Sequence, residues 1–595
     1  MVLTTAVFAA PGCNSAHTES IAEPNQTIIS THKEIIQLKR RPDYFSGEVR
    51  RQYLIRQASE MMRKDAPELT RVFYRSPEEK NMSFSIGDTR DGYLINGQPL
   101  PAPSLLLRQL PVQYERGIAY GTPNLITILV DTARTMQKKY PGTIMYLGNM
   151  GLREGGDIPY SVSHNSGRDA DIAFYLKDEN GKFANPRNMY KMSAHLQARS
   201  PDGVYTFDIE KNTTLVETLL THPKIHVQFI FLAKHLRTAI QRELVRREAS
   251  EELLARFEET VQVQAAHNDH LHIRIYCSNE DICAGCIDKS IIHEWQEDPL
   301  PKRDKCIAKH AATLGSKKST PIQMASALQR LSLLGAAGEH KSKVLKLIAH
   351  EDADVRNAAL IAAQTLDSSV VPALAARFDA ETDPVVRQTL FETLARFDCA
   401  ETRAAFDTQL QSDNLAPQNL ETLLRYIAHH PHQDHLEPLI GMLRRNIQRL
   451  PADNQPVIDT ISTVANRVFC TTTLQDSCLA EIESWYSSHA ELPRNQWLIE
   501  GFKAAGYRVI GLMNSDIPVL LDAIDGPRPV SINAQLVLKK LGKLDKDSLD
   551  WSAADAKWHY TKHFKRHSKK YKIDLSDRDE KGNKIAKEKP KTKRK

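Results

Sequence analysis

The sequence predicts a multidomain protein in which an α+β domain with a small antiparallel sheet precedes an all-α solenoid. Three observations predict it. The chain has 595 residues, several times the length over which one hydrophobic core grows. Between 80 and 296, short strand-like runs (TIMYLG, IAFYL, HVQFIFL, HLHIRIY) alternate with Gly, Asn and Pro turns and a few helical segments such as NLITILVDTARTMQKKY. From 318 to 490 the texture changes to Ala/Leu-rich helical segments joined by short polar turns.

Composition narrows the class. The hydrophobic fraction is 41%, charged residues are 26% and mean hydropathy is −0.43. That balance suffices to bury cores, so disorder is excluded as the dominant state. No stretch reaches the ~18 consecutive apolar residues of a membrane-spanning helix. The net charge of +6 is unevenly spread: Lys562–Lys595 holds 15 Lys/Arg and 5 Asp/Glu, leaving 64 basic and 68 acidic groups elsewhere. A basic nucleic-acid-binding body is therefore excluded, and no specific nucleic-acid partner is expected.

In chain order, residues 1–30 read as a signal-like or lipoprotein-like segment and linker. MVLTTAVFAAPGC is an apolar run ending in small residues, which suits export, although the basic n-region is missing. Cys13 after Ala-Pro-Gly is a candidate lipid anchor, with Pro11 unusual in such a box. A periplasmic or cell-envelope location is expected. Residues 31–79 read as a helical extension and 80–296 as the α+β domain.

Over 318–490, one pair of segments is self-similar. Asp352-Ala-Asp-Val-Arg356 and Asp383-Pro-Val-Val-Arg387 repeat at an offset of 31 residues, each opening a helix. An acidic first turn and Pro384 suit helix starts. The D-x-x-V-R pattern resembles HEAT-type repeats, whose helix pairs must stack to bury their apolar stripes. Segments 321–335, 418–448 and 454–468 fit it more loosely. Residues 491–561 are mixed, and 562–595, with KRHSKKYK and KEKPKTKRK, read as a basic disordered tail.

Eight cysteines occur, four of them within Cys277–Cys306 and two at Cys470 and Cys478. Grouped cysteines suit disulfides in an oxidising compartment. The rival is a structural zinc site from Cys277, Cys283, Cys286 and Cys306, kept open by a single C-x-x-C that lacks its second half.

The chemistry-bearing segments are SVSHNSGRDADIAFYL (161–176) and HNDHLHIRIYC (267–277). As a strand, the second puts His270, His272, Arg274 and Tyr276 on one face and Leu271, Ile273 and Ile275 on the other. In the first, Asp169 and Asp171 share a face, and the turn ahead of them lets His164 fold back toward Asp171. With one imidazole of the other strand, that makes a His/Asp/His set suited to Zn²⁺ with an open position. Asp169 or Asp269 could orient an imidazole from behind. No H-E-x-x-H occurs.

H-x6-D followed by H-x-H resembles the LAS-type zinc peptidases. The context resembles their penicillin-insensitive murein endopeptidases: Ser85-Ile-Gly87, Tyr120-Gly-Thr-Pro-Asn124, TIMYLGNMGLREGG, SHNSGRDADIAFYL, HVQFIFL and AHNDHLHIRIYC with Cys283 after it. The resemblance covers residues 80–290. It implies zinc ligands at His164, Asp171 and His272, a catalytic His270 beside the metal and a further active-site His267. Where the family often has another His, three residues before the first ligand, this chain has Ser161. The implied activity is hydrolysis of peptidoglycan cross-link peptides by a zinc-activated water, a route that β-lactams do not block. Two alternatives stand beside it: a non-catalytic cell-wall-binding scaffold built on the repeats, and a zinc D-Ala-D-Ala-type dipeptidase. The helical repeats are the candidate surface for a protein partner.

Overall fold

The computed structural model describes residues 73–583 except 157, 159–160, 413–414, 450–453, 471–474, 545–548, 550, 577 and 580–581. The signal-like segment, Cys13 and residues 31–72 of the expected helical extension lie outside the described residues. The chain divides into two compact units, one ending at Ala336 and the other beginning at Ala337.

The first unit is built on a six-stranded sheet. Its strands are β1 (Leu107–Gln109), β2 (Met145–Leu147), β3 (Asp169–Ala173), β4 (Val227–Leu232), β5 (Val261–Val263) and β6 (His270–Ile275). Their spatial order is β5-β4-β6-β3-β2-β1. The inner pairings β4–β6, β6–β3 and β3–β2 are antiparallel. Both edges are parallel, β5 on β4 and β1 on β2. The expected antiparallel sheet is thus corrected to a mixed one. Helical crossovers cause it: Pro123–Lys139 separates β1 from β2, and Lys234–Arg246 and Glu251–Thr260 separate β4 from β5. A strand reached through a crossover helix returns in the same direction.

Leu271, Ile273 and Ile275 of β6, with Ile172 of β3 and Ile230 of β4, face the helices Pro123–Lys139, Ile209–Leu220 and Lys234–Arg246 in one core. Each such side chain contributes roughly 1.5–3 kcal/mol on full burial. The odd-numbered positions of β6 are therefore committed to packing, and the even-numbered positions are turned to the other face.

The cysteines form disulfides, Cys277–Cys286, Cys283–Cys306 and Cys470–Cys478, and Cys399 is free. The four-cysteine zinc alternative is thereby overturned. Helix Pro321–Leu333, placed with the repeats by the texture change at 318, packs on Pro299–Gly315 within the first unit.

The described residues of the second unit are helical. Asp352 and Asp383 cap their helices, accepting from the backbone N–H of Val355 and of Val385 and Val386. Helix Ala353–Ala363 packs on Pro384–Leu394, and that on Pro417–His429. The two arginines of the repeated pattern both reach polar side chains further along the chain: Arg356 grips Glu381 at 2.8 and 2.8 Å, and Arg387 donates to Gln409 at 3.0 Å.

The mixed region 491–561 contributes the helices Arg494–Ala504, Ile517–Ala523, Arg528–Gly542 and Ala553–Arg566. The expectation of a disordered tail from 562 fails as far as 583. Phe564, Tyr571 and Leu575 are buried with Tyr560 and Leu538 in one cluster, and buried Arg578 donates to Asp522 at 2.7 Å. The density of Lys and Arg hid an apolar stripe at 560, 564, 571 and 575. Residues 584–595 lie outside the described residues. No helix among the described residues is long and apolar enough to cross a membrane.

Candidate metal centre

Strand register assembles the site. In the β6–β3 pair, His272 stands opposite Asp171, Arg274 opposite Asp169 and His270 opposite Ala173. On the other side of β6, His272 is opposite Phe231 of β4. Two positions of β3, 169 and 171, thus present carboxylates to two imidazoles and a guanidinium at three positions of β6, 270, 272 and 274.

His164 joins them from the loop ahead of β3. Its backbone is left-handed, φ +81°, a conformation a histidine holds only where its surroundings impose it. They do so at several points. Asn165 donates from its backbone to the Thr89 carbonyl at 3.1 Å and from its side chain to the Arg90 carbonyl at 2.8 Å. Thr122, which caps the helix Pro123–Lys139, donates its N–H to Gly167 at 2.8 Å. Arg168 donates to Asp288 at 2.6 Å and to the carbonyls of Ile275 and Ile287 at 3.1 and 3.0 Å. Gly167 also has φ +71°, and a Cβ there would lie 2.6 Å from the buried Leu94 side chain.

Asp171 is the hub. Its Oδ1 lies 2.9 Å from His272 Nδ1, 3.4 Å from His164 Nε2 and 3.4 Å from His270 Nε2. Its Oδ2 accepts from Asn149 at 2.8 Å, and Asn149 in turn accepts from Arg116 at 2.7 Å. Asn149 is held there because the residues after β2 pair with Asp171 along the backbone: Gly148 N–H donates to Asp171 at 2.7 Å and Asp171 N–H to Asn149 at 2.9 Å. His164 Nδ1 faces the Asp169 carbonyl at 3.2 Å, where it can only donate, so Nε2 carries the lone pair toward Asp171.

His164, Asp171 and His272 are buried and offer ligand atoms within 4.8 Å of one another. His267, His270 and His272 form a second such group sharing His272. His164 Nε2, His272 Nε2 and His267 Nδ1 are buried without a hydrogen bond. Buried imidazole nitrogens are normally satisfied; orphaned ones converging on a carboxylate are what a divalent ion with N and O ligands would complete. The residues therefore fit a metal.

All five sequence-predicted site residues are brought together. His267 packs its ring 4.9 Å from that of His270 and 5.4 Å from that of His272. His270 Nδ1 donates to Asp269 at 2.6 Å, and its side chain is 15% exposed where that of His164 is 1% exposed. The triad is therefore the floor of the site, and His270 lies nearer solvent. Two residues without an assigned role enter as well, Asn149 and Arg274. Arg274 stood on the same strand face as His270 and His272, a usable signal. Asn149 became relevant only through backbone pairing after β2.

Electrostatics follow from the packing. Burial alone would raise the Asp171 carboxyl, but the surrounding imidazoles, His270 first, hold it well below the usual range. Burial likewise disfavours a charged His272, yet Asp169 and Asp171 outweigh it and raise the ring to about 9. His267 is pushed down to about 4, first by burial and then by His272 and His270.

No curated protein matches the chain. Among solved structures, an engineered protein from a structural genomics consortium aligns at 11% identity, covering 60% of this chain and 84% of that one, with a TM-score of 0.25, too low to inform the fold. Residues 85–327 match the model of the family described as penicillin-insensitive murein endopeptidase. The His/Asp cluster thus lies within the stretch that matches the model of the penicillin-insensitive murein endopeptidase family.

Proposed function

We propose that the protein is a zinc-dependent endopeptidase that hydrolyses peptide cross-links of bacterial peptidoglycan. The observation that carries this reading is the convergence of buried His164, Asp171 and His272, with orphaned ring nitrogens, inside a murein endopeptidase domain. These three residues would hold the ion. When bound, zinc supplies Lewis acidity: it polarises a carbonyl and brings the pKa of water toward ~7.

The chain's own groups do the rest. Asn149 ties up Asp171 Oδ2, so the other oxygen is the one turned to the imidazoles. Asp269 binds His270 Nδ1 and leaves Nε2 facing the cluster, where it can hold or deliver a proton at the leaving amine. His267 walls the site beside it. The disulfides agree with an exported protein acting on the wall. The helical second unit is proposed as a HEAT-like module for a protein partner, supported by the Arg356–Glu381 and Arg387–Gln409 links.

The test is cleavage of purified cross-linked muropeptides, read by mass spectrometry of the products. His164→Ala and Asp171→Ala should each abolish cleavage with an unchanged circular dichroism spectrum. Full activity in either variant overturns the assignment.

A further inference from the structure

A folded, cationic face closes the second unit, and the site described above makes no use of it. From Lys557 to Lys572 the chain contains no acidic residue. This stretch is helical over Ala553–Arg566 and again over Ser568–Tyr571. Its apolar side is already used: Ala556, Tyr560, Phe564 and Tyr571 are buried in the unit's own core. What remains outside is charge. Lys562, Arg566, Lys569, Lys570 and Lys572 are exposed and, among the described residues, none has an acidic partner. Lys557 and Arg578, by contrast, are paired with Asp525 and Asp522.

One large ring stands among these cations. Trp558 is 44% exposed, with Lys562 Nζ 4.7 Å from its ring centre. His559, His563 and His567 follow at four-residue intervals along the same helix and just past its end, and the rings of His563 and His567 are 4.9 Å apart. His563 is held below its ordinary pKa by partial burial and then by His567, His559 and Lys570.

We infer that this face docks a hydrated, carboxylate-bearing sugar polymer, the peptidoglycan itself, and so keeps the chain on its substrate. The inference deepens the proposed function and rests on it for the identity of the polymer. Unpaired cations on a rigid helix attract a polyanion without sequence-like specificity, and an exposed indole offers a flat apolar surface to a sugar ring. A lipid surface is the poorer match. Interfacial helices bind by burying an apolar face, and here that face is turned into the unit's core. Tethering would raise the local concentration of cross-links without any new contact at the metal centre.

The experiment is co-sedimentation of the full chain with insoluble purified sacculi at low and high salt. The variant combines Lys562→Gln, Arg566→Gln, Lys569→Gln and Lys570→Gln; a second replaces the three lysines with arginine. Binding by the wild type should fall steeply with salt. The glutamine variant should lose at least tenfold in affinity, the arginine variant should keep it, and Trp558→Ala should weaken binding severalfold. Cleavage of small soluble muropeptides should be unchanged in all of them. Undiminished sacculus binding by the glutamine variant overturns the inference. So does preferential capture of the wild type by phosphatidylglycerol vesicles or by duplex DNA. Absence of muropeptide cleavage by the wild type, with charge-dependent sacculus binding intact, would instead count against the proposed activity alone.

Discussion

The guanidinium of Arg274 grips the Asp169 carboxylate through two hydrogen bonds of 2.9 Å, and that carboxylate lies 3.3 Å from His272 Nε2. Asp169 and Arg274 are both buried. The arrangement holds a fixed carboxylate beside the imidazole, which positions the ring. On the other side, Arg116 and Asn149 do the same for Asp171. Asp171 and His272 are thus each backed by a polar residue that is itself held by an arginine.

Asp169→Asn should weaken metal retention by about 10–100-fold, the usual consequence of losing such a backing group. The measurement is metal content after dialysis against a competing chelator. Asn keeps the shape but not the charge, so Arg274 also loses its ionic partner and thermal stability falls. Wild-type retention in a folded Asp169→Asn protein would show that His272 needs no carboxylate behind it.

His270→Gln separates proton transfer from metal holding. If His270 delivers a proton rather than coordinating, the variant keeps its metal while the rate of muropeptide cleavage falls by about 10²–10⁴-fold. Metal content and single-turnover rate are measured on the same sample. Loss of metal together with activity would assign His270 to the coordinating set, as the second cluster of His267, His270 and His272 would then require.

Why the inner site was legible in the sequence, and other parts were not, is a matter of range. Alternation on a strand is local, so H-x-H and D-x-D declared their faces, and the register of β3 and β6 then set His272 opposite Asp171. The His164 turn was legible for the same reason. The parallel edges of the sheet were not, because they depend on where crossover helices return a strand. Asn149 reaches Asp171 through backbone pairing 22 residues away, which no spacing rule encodes. Disulfide partners are similarly underdetermined, since four cysteines allow three connectivities. The folded part of the basic C-terminus is not legible because dense charge masks the apolar period: Tyr560, Phe564 and Tyr571 pack inward beneath the lysines.

Cys283–Cys306 ties the short helix Asn279–Ala284 that follows β6 to helix Pro299–Gly315 across a sequence separation of 23. Closing a loop of that length in the unfolded chain is worth about 3 kcal/mol. Cys283→Ser with Cys306→Ser should therefore lower the unfolding temperature of the first unit by roughly 6–12 °C. Calorimetry with and without reductant checks it. A wild-type protein insensitive to reductant would mean that this bond contributes no stability.

In the second unit, Glu381 is buried and binds Arg356 through both of its carboxylate oxygens. Burial works to raise its pKa, but the bonds from Arg356 and the Asp383 N–H prevail and hold it below 4.5. A depressed folded pKa stabilises fully above the unfolded value and is lost as pH falls through the folded one. Unfolding of this unit should accordingly ease with acid below about pH 4.5. Glu381→Ala leaves Arg356 without its ionic partner and should cost about 3 kcal/mol at neutral pH. Part of the acid sensitivity should disappear with it, because the group that titrates is gone. Thermal unfolding of the full chain between pH 3 and 7 reads both effects. An acid transition of unchanged slope in Glu381→Ala would show that other carboxylates, not this one, govern it.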